Sequence, residues 1–290
     1  MPHDRHVKSC PLGCAAPLAA TELVLPEGAL LRCTECGQLV SQVDTARYWA
    51  TMEQFNRTDF HRPGARERER LQQVARRRLL AIAKLLGKPP QEARLLDVGC
   101  SRGYFVETAA ALGFASEGVE PAQQIAAEAR ARGLTVHAGL LEEQRFPDGC
   151  FDALTLFEVI EHLREPRALL TEVRRVLKPG GVLLLSTGNC ASWTVAVMGA
   201  RWDYFHIAQD GGHISFFHPR SLRLLAKRCG FCIERIETRR VKFHEQGGGP
   251  AGRYSWWKSA AELLSYPARF LGKGHDMLAY LRRPAEGVQS

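Results

Sequence analysis

Glu158, Glu161 and His162 fall three and four residues apart, so on a helical turn their side chains leave from one face. Carboxylates and an imidazole gathered in this way can take a proton from a hydroxyl or hold a divalent cation. His206, His213 and His218 are further acid–base candidates, with His213 lying in Gly211-Gly212-His213-Ile214-Ser215-Phe216-Phe217.

A second constellation is made of thiols. Cys10-Pro-Leu-Gly-Cys14 and Cys33-Thr-Glu-Cys36-Gly37 are two close pairs separated by enough chain for a hairpin. Two thiolate pairs close a tetrahedron around zinc, and a glycine after a pair permits the turn that aims backbone amides at sulfur. No open coordination position is evident, so such a zinc is structural. Four unrelated reduced thiols are the other reading. Cys229 and Cys232 have redox-motif spacing but flank Gly230, where a helix gives way to a strand, which suits a buried structural role.

A third constellation is Leu95-Leu96-Asp97-Val98-Gly99-Cys100-Ser101-Arg102-Gly103-Tyr104-Phe105, an apolar strand running into a small-residue turn and a helix. Glycines there let backbone approach a ligand, and open amides at the helix start favour an electron-rich group. One strand-helix unit later, Gly118-Val119-Glu120-Pro121 ends a strand with a carboxylate that can accept hydrogen bonds from both hydroxyls of a ribose.

The elements that must position these groups alternate along the chain. Strands are predicted at Arg94 to Gly99, Ala115 to Glu120, Thr135 to His137, Ala153 to Phe157, Gly181 to Thr187, Cys232 to Lys242 and Met277 to Arg282. Helices are predicted near Tyr104 to Leu112, Ala122 to Arg132, Pro166 to Leu177 and Pro219 to Cys229. This alternation implies a doubly wound, mainly parallel seven-stranded α/β sheet, and ligands in such sheets bind beyond the carboxyl ends of the strands. Residues 1–46 are expected to form a zinc-ribbon-like module, 47–90 a helical linker, and 91–290 the main domain. A helical insertion at about 245–274, carrying Trp256-Trp257, is expected to serve as a lid or partner surface.

Composition agrees with an ordinary globular chain: 290 residues, 45% hydrophobic and 24% charged. Nine cysteines, five of them scattered through the α/β region, exclude a secreted disulfide framework. No run is apolar enough to span a bilayer and the first ten residues are polar, so a cytoplasmic location is expected. The net charge of +8 reflects an arginine excess between Arg57 and Arg78. A solvated helix face explains it without a nucleic-acid partner, since the run lacks interleaved aromatics for stacking on bases.

Downstream, Asp148-Gly149-Cys150-Phe151-Asp152 leads into Leu154-Thr155-Leu156-Phe157-Glu158-Val159-Ile160-Glu161-His162-Leu163, and Leu177-Lys178-Pro179-Gly180-Gly181 leads into Val182 to Leu185. With the glycine loop, these blocks resemble the class I S-adenosylmethionine-dependent methyltransferases, especially the branch of the ubiquinone-biosynthesis O-methyltransferases, over about Arg94 to Phe231. The resemblance implies S-adenosylmethionine as cofactor in a pocket lined by Asp97, Gly99, Cys100, Gly103, Tyr104, Glu120, Pro121 and Phe157, with Leu140 and Leu141 flanking the adenine. Ser101 replaces the middle glycine of the usual loop and should fit if its backbone angles are ordinary. No acidic residue precedes Leu140, so adenine would be read by backbone groups.

The same resemblance, extended to the small-RNA 2′-O-methyltransferases, implies that Glu158, Glu161, His162 and His213 hold a divalent cation such as magnesium or manganese. His162 or His213 acting as a base without metal, or the cluster serving only to position the acceptor, are the other readings. Trp193, Trp202, Tyr204, Phe205 and Phe217 are candidates for an aromatic acceptor pocket. The expected reaction is methylation of a hydroxyl on a small molecule or sugar-containing metabolite. The alternatives are RNA 2′-O-methylation, which would show steep salt dependence, and a catalytically inactive zinc-module interaction protein.

Overall fold

The computed structural model describes residues 5–57, 62–206, 212–243 and 251–285, with 251–260 described by backbone alone. The chain opens with a hairpin of β1 (Leu18–Leu25) and β2 (Gly28–Cys33), followed by the two-residue β3 (Leu39–Val40). Next come α1 (Thr45–Met52), capped by the Asp44 carboxylate, and α2 (Ala65–Leu86). The helical linker expected over 47–90 is therefore two helices. Pro63 and Gly64 interrupt it, Gly64 standing in extended backbone as the N-cap of α2. On α2, Ala75, Leu79 and Ile82 are buried against Ala93, Leu95 and Tyr280, whereas the arginines from Arg66 to Arg77 are exposed.

The main domain then alternates: β4 (Arg94–Val98), α3 (Tyr104–Ala111), β5 (Ala115–Glu120), α4 (Gln123–Ala131), β6 (Val136–Ala138), β7 (Phe151–Phe157), α5 (Pro166–Val176) and β8 (Leu177–Gly188). After α6 (Trp193–Met198) follow β9 (Ser215–Phe216), α7 (Pro219–Arg228), β10 (Cys232–Arg239), α8 (Ala251–Phe270) and β11 (Asp276–Arg282). Val182 to Leu185 are all buried, as a strand covered on both faces requires. In α5, Pro166 pre-sets the first turn and Leu170, Val173 and Val176 make the stripe that meets the sheet. Arg240, at φ +54°, ends β10 before the expected Lys242.

Seven strands form one sheet in the order β10-β11-β8-β7-β4-β5-β6, in which β11 runs antiparallel to both neighbours and the rest are parallel. The doubly wound, mainly parallel architecture expected from the sequence is present. Strand order reverses between β4 and β7, and the carboxyl ends at such a reversal are where ligands bind in sheets of this kind. The insertion between β10 and β11 is the helix α8, whose Leu263, Tyr266 and Phe270 are exposed, as is Leu271 just after it. Residues 244–250 and the side chains of Trp256 and Trp257 lie outside the described residues.

A second, four-stranded sheet has the order β1-β2-β3-β9. Its last strand comes from the main domain and pairs antiparallel with β3, Leu39 opposite Phe216 and Val40 opposite Ser215. Leu30, Leu31, Val40, Tyr48, Trp202, Phe205, Ile214 and Phe216 form one small core between the two parts. Phe216 is edge-on to Phe205 at 4.8 Å within it. Phe216→Ala is expected to lower unfolding free energy by about 3–5 kcal/mol in urea titration. A loss under about 1 kcal/mol would mean that the shared core contributes little.

Candidate active site

The loop after β4 is built from left-handed backbone: φ is +75° at Gly99, +48° at Ser101 and +74° at Gly103. Ser101 thus does not meet the condition of ordinary backbone angles under which it was expected to fit. A residue with a Cβ in this region costs roughly 1–2 kcal/mol, and a hydrogen bond donated by the Ser101 amide to Glu120 Oε2, at 2.8 Å, holds it there. A Cβ on Gly99 would meet Val159 at 2.7 Å, and one on Gly103 would meet Leu134 at 2.7 Å, so both positions need glycine for room as well as for angle.

Two carboxylates face this loop. Asp97, at the end of β4, is buried and accepts the Thr155 hydroxyl at 2.5 Å; burial nevertheless pushes its pKa up to about 7. Glu120, at the end of β5, is raised by burial and drawn back by the amides of Ala122 and Ser101, 2.9 and 2.8 Å away. Cys100 is buried beneath the loop, its thiol raised by burial. Tyr104 lies under the Arg132 guanidinium at 4.6 Å, and Pro121 is exposed beside Glu120. Leu140 is half exposed, while Leu141 packs into the main core, so of the two only the Leu140 side chain remains open to a ligand.

At the end of β7, Phe157 is edge-on to Phe105 at 4.9 Å and carries the guanidinium of Arg78 4.4 Å above its ring. Arg78 comes from α2, and its buried Nε has no hydrogen-bond partner among the described residues. Its position in the otherwise apolar stripe of α2 was the sequence signal for it. Glu158 follows at φ +55° and accepts the hydroxyls of Ser186, at 2.7 Å, and of Tyr204. Asp276, at the start of β11, is pushed up to about 6 by burial and then by the Glu158 charge.

Ligand atoms of Glu161, His162 and His213 lie within 4.8 Å of one another, all three residues buried. Glu158 does not belong to that group, although its charge, after burial, helps raise the Glu161 carboxyl well above its usual range. Glu161 Oε2 accepts Thr187 Oγ1 at 3.1 Å, whereas Oε1 is buried without a hydrogen-bond partner among the described residues. His213 Nδ1 is 3.1 Å from the Tyr204 carbonyl, which can only accept, so the proton sits on Nδ1 and the lone pair on Nε2. The His213 ring stacks on Tyr204 at 5.0 Å and lies 4.7 Å from the ring of His162. His206 stands outside the group, and His218 caps α7 by accepting the Ser221 amide. Of the five aromatic candidates, Trp202, Phe205 and Phe217 are core residues, whereas Tyr204 meets the cluster directly, its carbonyl accepting from His213, and reaches Glu158 with its hydroxyl.

The sulfurs of Cys10, Cys14, Cys33 and Cys36 also lie within 4.8 Å of one another, Cys10 and Cys36 at 3.6 Å. Burial opposes ionisation of Cys33, yet the amides of Cys36 and Glu35 bring its thiol below the ordinary value. Arg228 reaches the Cys14 sulfur at 3.1 Å. Cys229 is buried and Cys232 exposed.

Residues 67–236 match the methyltransferase domain family. The ubiquinone biosynthesis O-methyltransferase of Xanthomonas axonopodis pv. citri (strain 306) is 31% identical over 159 residues, 51% of this chain and 66% of that protein. Its namesake from Xanthomonas oryzae pv. oryzae (strain PXO99A) is 38% identical over 122 residues, 38% of this chain and 50% of that protein. The chain therefore spans between half and about two thirds of the length of these curated relatives. Among solved structures, a SAM-dependent methyltransferase from Archaeoglobus fulgidus shares the fold, with a TM-score of 0.53 at 19% identity, covering 81% of this chain and 99% of that one. Since the match runs from α2 to β10 and takes in both carboxylates, the glycine loop and the strand-end cluster, this chain belongs to the methyltransferase domain family.

Proposed function

We propose that the chain transfers a methyl group from S-adenosylmethionine to a hydroxyl of a small molecule. The observation that carries this reading is the pairing, at the strand ends of one sheet, of the left-handed Gly99–Gly103 loop and Glu120 with the buried Glu161, His162 and His213 group. Similarity to proteins named as O-methyltransferases supports the choice of a hydroxyl acceptor. Glu120 would exchange its two amide partners for the ribose hydroxyls, Leu140 would cover the adenine, and Arg78 would pair with the methionine carboxylate. Asp97 would hold the loop and the ammonium end.

S-adenosylmethionine supplies an electrophilic methyl on a sulfonium, so the chain's own task is to align the acceptor and take its proton. His213 Nε2, its lone pair fixed by the Nδ1 bond, would take that proton, with His162 beside it. Glu161, His162 and His213 also fit a divalent cation, because Glu161 Oε1 is buried without a donor among the described residues and the ligand atoms of the three lie within 4.8 Å of one another. A magnesium or manganese ion there would acidify the acceptor hydroxyl. Glu158, tied to Tyr204 and Ser186, would support the cluster from outside it. The four cysteines would hold a structural zinc.

Glu120→Gln should weaken S-adenosylhomocysteine binding by tenfold or more in calorimetry, a loss of about 1.5–3 kcal/mol for a charged hydrogen-bond acceptor; unchanged affinity would remove Glu120 from the ribose. His213→Ala should leave that affinity within about twofold and lower methyl transfer at least a hundredfold, the scale of lost acid–base catalysis. Full turnover by this variant would defeat the proton assignment. Purified protein should contain one zinc per chain by metal analysis, and zinc-free protein that is equally stable would contradict the cysteine assignment.

A further inference from the structure

We propose that the cysteine module is a positioning part of the active site, holding from outside the two backbone segments that carry Glu161, His162 and His213. This rests on the reading of that group as the acceptor side and of the four thiols as a zinc site. The second cysteine pair closes a tight turn, Gly37 N to Cys33 O and Cys33 N to Gln38 O both at 2.9 Å, and β3 begins one residue later. β3 then pairs with β9, and the ladder continues as Ser41 N donates to Ile214 O at 3.0 Å. Ile214 is the neighbour of His213, and its own amide donates to Glu161 O at 2.9 Å. One peptide unit chain thus links the thiol turn, the segment of His213 and the segment of Glu161.

A second tether reaches the same place. The buried Tyr48 hydroxyl donates to His162 O at 2.7 Å, and its ring stacks on His6 at 3.9 Å. His6 in turn is bonded to Val43 through its amide at 2.9 Å, just after β3. The 3-10 turn Ile160–His162 is three residues long, and such a turn makes few bonds of its own. Release of the thiol turn would loosen β3, then β9 and Tyr48, while β4 keeps its own ladders to β5 and β7.

Hydrogen–deuterium exchange on the full-length zinc-loaded protein, Cys36→Ser and Tyr48→Phe tests this, with S-adenosylhomocysteine calorimetry on each. In Cys36→Ser, zinc should be lost and amides in 160–163 and 212–217 should exchange at least tenfold faster, while 94–120 stay protected and the Kd stays within about twofold. Tyr48→Phe should keep zinc, speed exchange only in 160–163, and lower the methyl-transfer rate several-fold at unchanged Kd. Unchanged exchange in 212–217 after zinc loss overturns the proposal, as does a uniform rise across the main sheet with loss of cofactor affinity. Zinc retained by Cys36→Ser overturns it together with the zinc assignment. Failure of the wild-type protein to bind S-adenosylhomocysteine strikes the methyltransferase reading, and the exchange pattern still decides the positioning role.

Discussion

Three carboxyl groups, those of Asp97, Glu120 and Glu161, are taken out of water at one edge of the same sheet. Burial works against their charge, and the surrounding chain compensates each differently. Asp97 has the Thr155 hydroxyl, Glu120 has two loop amides, and Glu161 has Thr187 on one oxygen and, among the described residues, no hydrogen-bond donor on the other. Much of the local architecture follows from this constraint. The left-handed turn at Ser101 aims an amide at Glu120, and the positive φ at Glu158 turns that side chain toward Ser186 and Tyr204.

The sheet can carry such a site because the strand order reverses between β4 and β7, leaving the ends of both strands uncovered by a crossover. Everything below that edge is apolar and close-packed, from Leu95 and Leu96 through Leu154 and Leu156 to Leu183 and Leu185. Rigid strands thus present groups whose own surroundings are polar and incompletely satisfied. The cysteine module adds a second support at the far side of the same edge, sharing a core with Trp202, Phe205 and Phe216.

Much of this was legible in the sequence where the signal is local. Asp97, Gly99, Gly103 and Glu120 stand at strand ends marked by apolar runs, and the sheet's seven strands and helical insertion were expected from alternation. What lay beyond it is non-local. β9 is two residues long and its partner β3 is far away in sequence, so neither has a periodicity to read. Arg78 reads as part of an apolar helix stripe until the packing of α2 places it over Phe157. Tyr204 is one aromatic among five, and only the fold separates it from Trp202 and Phe205, which are core. The backbone of Ser101 ran against its residue type, because the need of Glu120 for an amide outweighs the steric cost.

The most direct test of the account is a crystal structure grown with S-adenosylhomocysteine and manganese. The expected result has the ribose hydroxyls on Glu120 in place of the Ser101 and Ala122 amides, the sulfur turned toward Glu161, His162 and His213, and an anomalous manganese peak among those three side chains. A ligand bound elsewhere, or Glu120 still closed on its own loop in the presence of saturating ligand, would contradict it.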